Sequence, residues 1–229
     1  MARVKVHLID LRSSVEFFLA AKQMIDITDC KDITSLQTMV FIVAYLQCSS
    51  RMSACYTYVG IALKSAVHMG MHRCVTAKFT PLERQMRSRI FWVLRKIDVY
   101  VSTMLGLPDS IADDHIDQEL PLEVDDGCIL EDRILPQPYG RLAPIAATNA
   151  HIRLMGILKK ITTYVYPIKG VEQRTSDRIR VYFVDHSKVH EIEIALKKWL
   201  DGLPDALKKP VHVSERLARH VTPFHQLML

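Results

Sequence analysis

Residues 80–108 read TPLERQMRSRIFWVLRKIDVYVSTMLGLP. Thr80 offers a side-chain oxygen to the backbone donors that a helix start leaves without partners. Pro81 presets the first-turn φ, and Glu83 follows three residues after the threonine, completing a capping box. Leu82, Met86, Ile90, Val93, Leu94, Ile97, Val101, Met104 and Leu105 then recur mainly at steps of three and four, which places them on one stripe of a helix. Gly106 and Pro108 supply the stop. The stretch predicts about 24 residues of helix, some 36 Å at the α-helical rise.

Working outward, the N-terminal side repeats the pattern. A helix is expected from Thr34, with Gln37 as the second half of a capping box, to about Gln47, and Leu36, Met39, Val40, Val43 and Leu46 form its buried stripe. Another is expected from Met52 to His68, with Cys55, Val59, Ala62, Leu63, Ala66 and Met69 on one side. Gly60 lies inside it, at a cost of about 1 kcal/mol relative to alanine, so a close helix crossing is expected there. Gly70 offers a left-handed stop.

On the C-terminal side, residues 107–142 carry prolines at 108, 121, 136 and 138 and much of the acidic charge, which predicts an irregular surface segment with at most a short helix. Loops longer than about 15 residues are usually functional or mobile, so this is the first place to look for something beyond scaffold. Amphipathic helices follow near 146–166, with Ala147, Ala150, Leu154, Ile157, Leu158, Ile161 and Val165, and near 186–203, with Val189, Ile192, Leu196, Trp199 and Leu203 in strict three-and-four steps. Residues 168–178 read as a polar connector, and Ser214 could cap a last helix. No strand pattern stands out. The expectation is an all-α, irregular array of about seven amphipathic helices over 1–229, cut off near Leu229.

Composition agrees with a globular chain. Of 229 residues, 49% are hydrophobic and 24% charged, with 8 glycines and 10 prolines. Glycine is at about half its usual share of ~7%, which disfavours Gly-rich phosphate loops and folds made of tight hairpins. The longest clean apolar run, Met39 to Leu46, is far short of the ~18 residues that span a bilayer, so no membrane partner is expected. Lys5, His7, Asp10 and Arg12 interrupt the opening segment, which excludes a secretory h-region there. The five cysteines (Cys30, Cys48, Cys55, Cys74, Cys128) include no C-x-x-C pair, so they encode neither a zinc ribbon nor a dithiol redox site, and a reducing compartment is expected. The net charge of +5 hides an asymmetry: residues 97–132 hold eleven acidic side chains and no Lys or Arg.

Few constellations suggest chemistry. Asp113-Asp114-His115-Ile116-Asp117 matches a D-D-x-x-D pattern that can hold Mg²⁺ and a diphosphate, the basis of a prenyl-transfer reading. The second metal motif is missing, and Pro108 and Pro121 bracket the pattern too closely for a long helix, so a solvated acidic loop is favoured. Glu123, Asp125, Asp126 and Gly127 lack the alternation of a calcium loop. His68 and His72 are four apart, but Met69 occupies the glutamate position of a zinc helix, so they read as helix-end polar residues. Arg84, Arg87, Arg89, Arg95 and Lys96, interleaved with Phe91 and Trp92, could contact phosphates. Local ion pairs, Glu83 with Arg87 and Arg95 with Asp98, account for much of that charge.

Read in order, several pieces resemble one family. They are Leu36-Gln37 with Tyr45-Leu46-Gln47, Gly60-Ile-Ala-Leu-Lys-Ser-Ala66 with Met69-Gly-Met-His72, and Pro81-Leu-Glu-Arg84. After these come Arg87-Ser-Arg-Ile-Phe-Trp92, Asp98-Val-Tyr-Val-Ser102, Gly106-Leu-Pro108 and Ile116-Asp-Gln-Glu-Leu-Pro121. This string resembles the fungal-specific transcription factor domain, the middle region of zinc-cluster transcription factors. Cys55–Lys64, Asp117–Asp126 and Tyr166–Lys169 resemble its activator of stress genes group.

The resemblance implies a nuclear, all-α regulatory domain that restrains or enables activation by RNA polymerase II, in some members through a small ligand. It singles out Gly60, Ala66, Gly70, His72, Glu83, Arg87, Arg89, Trp92, Asp98, Gly106, Pro108, Asp117 and Pro121 as structural or regulatory residues, and names no catalytic, cofactor or metal residue. Arg87 and Arg89 are expected to orient the long helix near the acidic segment. The family's six-cysteine zinc cluster is not in this chain, so zinc and DNA are expected only through such a cluster upstream in full-length relatives. The chain then reads as a fragment, a mispredicted gene or a degenerate copy. Paralogues, co-regulators and a small ligand are the remaining partners, and a DNA-independent interaction module is the rival reading.

Overall fold

Two helix starts show how side chains set the element boundaries. Thr80 accepts from the Glu83 amide at 3.2 Å, with Pro81 in the first turn, as the sequence predicts. The next cap toward the N-terminus falls elsewhere: Asp32, not Thr34, accepts from the Ser35 amide at 2.8 Å, because an ionised carboxylate with two acceptor oxygens also holds the Ser35 hydroxyl. Gly106 at φ 66° and Gly70 at φ 72° take the left-handed conformation that ends a helix at little cost only for glycine.

The computed structural model describes residues 11–27, 29–74, 79–165, 172–174, 180–182 and 185–208. Among these are α1 (Leu11–Met24), α2 (Ile33–Cys48), α3 (Met52–His68), α4 (Pro81–Leu105), α5 (Pro144–Val165), α6 (His186–Asp201) and α7 (Asp205–Lys208). The architecture is all-α. Among the described residues it departs from this in a two-stranded antiparallel ribbon, β1 (Glu172–Arg174) and β2 (Arg180–Tyr182), within and just beyond the predicted connector, and in an isolated antiparallel bridge between Ile129 and Ile134. The ribbon is only three residues per strand, too short for periodicity to reveal. Helix α1 precedes those placed from the sequence, and the helix expected after Ser214 lies outside the described residues.

The core sits among α2, α3 and α4. Leu36, Met39, Val43 and Leu46 meet Cys55, Val59, Leu63 and Ala66, and Phe91, Leu94 and Val101 close the cluster. Phe18 of α1 stacks on Tyr45 of α2 with ring centroids 4.5 Å apart. Phe91, read from the sequence as an aromatic among basic residues, is fully buried, an environment worth about 1.5–3 kcal/mol for such a side chain. Leu82 and Met104, expected in the α4 stripe, are exposed, as is Leu196 of the α6 seam. Gly60 does not mark a helix crossing. A Cβ there would meet Ser110 Oγ of the acidic segment at 3.5 Å, an ordinary contact. No helix among the described residues is long and apolar enough to cross a membrane.

Candidate functional site

A second stripe runs along α4, and it is polar. Gln85, Ser88, Trp92, Arg95, Asp98 and Ser102 follow one another at steps of three or four, so they share one side of the helix, beside the apolar stripe. Of these, Ser88, Arg95, Asp98 and Ser102 are buried. Buried polar groups need partners. The acidic segment supplies most of them, running back along α4 toward its N-terminus.

The contacts follow in order. Asp98 accepts from the Ser110 amide at 2.9 Å and from its hydroxyl at 2.6 Å. Arg95 Nη2 donates to Asp109 at 2.6 Å and to Asp113 at 2.7 Å, while Nη1 reaches Asp98 at 3.0 Å. Trp92 Nε1 and Ser88 Oγ both donate to the Glu119 carbonyl at 2.9 Å. Gln85 accepts from the Leu122 amide at 3.0 Å, and Arg89 holds the Asp126 carboxylate and the Val124 carbonyl. The long helix thus satisfies backbone groups at residues 110, 119, 122 and 124, which lie outside the segment's two single-turn 3₁₀ helices, Asp113–His115 and Asp126–Cys128.

Helix α5 closes the other side. Lys159 Nζ lies 2.9 Å from both Asp109 and Asp113, and Asn149 Nδ2 donates to the Pro121 carbonyl at 2.8 Å and to Glu123 at 3.1 Å. Two cations and three carboxylates meet where α4, α5 and residues 109–113 converge, with Arg95 3% exposed and Asp98 0%. Burial alone would pull the Arg95 guanidinium down, but Asp113 and Asp109 outweigh it and hold the group above its ordinary value. Burial alone would likewise push Asp109 and Asp113 up, and Lys159 and Arg95 hold both below the usual carboxylate range.

These positions correct several expectations. Arg95 and Asp98 do pair at i,i+3, but in the interior, because residues 109–113 fold over them. The carboxylates of the D-D-x-x-D pattern do not converge. Asp113 binds Arg95 and Lys159, Asp117 accepts from the Cys74 amide at 2.9 Å and faces Arg73, and Asp114 has neither set of partners. A solvated loop is also an incomplete description, since Asp109 and Asp113 anchor it. Arg89 does engage the acidic segment, whereas Arg87 donates to the Met69 carbonyl at the end of α3 and lies over the Phe79 ring. Among the described residues no group of three or more His, Cys, Asp or Glu side chains could hold a metal, and the cysteines stand singly, so the residues present do not fit a zinc cluster.

The other motif residues fall around the same unit. Ala66 is buried in α3, Pro121 is buried under Asn149, and the Pro108 carbonyl accepts from Tyr56 Oη at 2.9 Å. The His72 carbonyl accepts from the Asp117 and Gln118 amides at 3.1 Å, joining the end of α3 to the segment. Gln85, Ser88, Asp109, Ser110, Asn149 and Lys159 escaped sequence reasoning. The polar heptad on α4 is the signal that could have found the first two, while Asn149 and Lys159 carry none without knowledge of α5's position.

The chain was compared with known proteins. The family model described as "Fungal specific transcription factor domain" matches residues 4–201. "Activator of stress genes protein 1" of Candida albicans is 42% identical over 203 residues, covering 84% of this chain and 20% of that protein. "Activator of stress genes 1" of Saccharomyces cerevisiae is 40% identical over 195 residues, with shares of 84% and 19%. "Transcriptional activator protein acu-15" of Neurospora crassa is 28% identical over 180 residues, 77% of this chain and 18% of that protein. The chain therefore spans about a fifth of the length of these relatives. No solved structure matches it. The family match over residues 4–201, within which α1 to α6 lie, gives one conclusion: the chain belongs to the family of the fungal specific transcription factor domain.

Proposed function

We propose that this chain is the regulatory region of a nuclear transcription regulator, and that it controls RNA polymerase II transcription by the state of its helical packing, without catalysis. The observation that carries the reading is the family match over residues 4–201, together with relatives whose names describe transcriptional activators. In this reading the whole chain, 1–229, forms one domain, and DNA is reached through a zinc cluster elsewhere in the full-length protein. The motif residues act by position: Trp92, Asp98 and Arg89 hold the acidic segment, Asp117 and His72 tie it to α3, and Gly106 and Pro108 set where it leaves the helix.

The test is a reporter assay in yeast. The 229-residue chain is fused between a heterologous DNA-binding domain and a constitutive activation segment, and compared with the same fusion lacking it. The chain is expected to change reporter output several-fold, and Asp98→Asn is expected to abolish that change at equal protein level. An output identical with and without the chain overturns the reading.

A further inference from the structure

Between the C-terminal half of α3 and the turn 110–115 lies a cleft of about 550 Å³. Its apolar part is Leu63, Val67 and Ile111, and its polar part is Lys64, Arg73, His72, Asp114 and His115. Leu63, Val67 and Ile111 thus form an apolar patch within a lining that is otherwise mostly polar, and the volume lies within the roughly 300–1,000 Å³ usual for sites of small organic molecules.

The polar groups are short of partners. Lys64, Asp114 and His115 form no ion pair or side-chain hydrogen bond among the described residues, and His72 Nδ1 is buried with none. The walls are fixed in advance. Ser110 is held by Asp98, Asp113 by Arg95 and Lys159, and the His72 carbonyl by the Asp117 and Gln118 amides, so a ligand would meet a formed site rather than order one.

We propose that this cleft binds a small organic anion with an apolar body, its charge toward Lys64 and Arg73 and its body on Leu63, Val67 and Ile111. Two cations face a single carboxylate, Asp114, while Asp117 draws on Arg73 from one side, which leaves Lys64 as the main anchor. The wall formed by 110–115 is also the part of the acidic segment locked to α4 and α5, so occupancy would brace that lock. Binding is read on the purified chain and stands or falls independently of the transcriptional reading.

Isothermal titration calorimetry of the whole chain with octanoate, octan-1-ol and inorganic phosphate tests the proposal, with amide shifts of Lys64 and Ile111–His115 locating the site. Octanoate is expected to bind at this site, and the alcohol and phosphate each more weakly. Lys64→Ala is expected to weaken octanoate about tenfold, the factor for one lost charge-assisted contact. Ala112→Trp, at an exposed position of the cleft lining, is expected to abolish binding without altering the fold. Absence of octanoate binding, equal binding of the alcohol or of phosphate, or binding untouched by both substitutions overturns it.

Discussion

At the residue scale, Arg95 carries more of the structure than its place among basic side chains suggests. Removing one partner of a buried pair leaves the other charge desolvated, so Arg95→Ala is expected to destabilise the chain by about 3 kcal/mol, read from urea unfolding followed by circular dichroism. Arg95→Lys is expected to recover only part of this, because a point charge cannot reach Asp98, Asp109 and Asp113 as the guanidinium fork does. Gly60→Ala should go the other way. Ser110 Oγ would stand 3.5 Å from the new methyl, and the gain in helix propensity is up to about 1 kcal/mol. The cysteines divide sharply: burial pushes the Cys55 thiol up to about 11 and raises Cys30, so native-state labelling at mild alkaline pH is expected at the exposed Cys48 and Cys74 and not at Cys30, Cys55 or Cys128.

At the element scale, the unit of interest is the acidic segment with its two helical flanks. Asp109 and Asp113 have lowered carboxyl pKa values in the folded state. Their contribution is therefore fully present above the unfolded value of about 4 and is lost as pH falls through the lowered folded values. Asp109 should dominate, since Asp113 is two-thirds exposed and water screens its share. An acid titration of stability is expected to fall less steeply for Asp109→Asn than for the native chain; parallel curves would remove the segment's ion pairs from the account. Helix starts are separable from this unit, and Thr80→Ala is expected to cost about 1 kcal/mol at any pH in that range.

At the scale of the whole molecule, the sequence was legible where one face of a helix meets an apolar core. The stripes of α2 and α3 came through almost intact, and Gly70, Thr80 and Gly106 marked real ends, because local sterics and cap bonds decide them. Legibility failed where a partner distant in sequence decides burial. Asp98 and Arg95 look like surface charges until Ser110, Asp109, Asp113 and Lys159 arrive, and the polar stripe of α4, though periodic, does not say which residues will cover it. The choice of Asp32 over Thr34 as cap was local but close, a contest between two good acceptors two residues apart.

The order of contacts along α4 has a kinetic consequence. Starting at Gly106 and moving toward the helix start, the bonded pairs are separated by 12 residues for Asp98–Ser110, 14 and 18 for Arg95 with Asp109 and Asp113, 27 for Trp92–Glu119, 31 for Ser88–Glu119 and 37 for Gln85–Leu122. Each bond, once made, leaves only a short stretch of chain to be closed for the next, so the loop-closure entropy is met in small instalments rather than all at once. The segment can therefore zip from the Gly106 corner outward. A substitution such as Gly106→Val, which strains that corner, should slow refolding in stopped-flow measurements, whereas Gln85→Ala, at the far end of the zip, should chiefly speed unfolding.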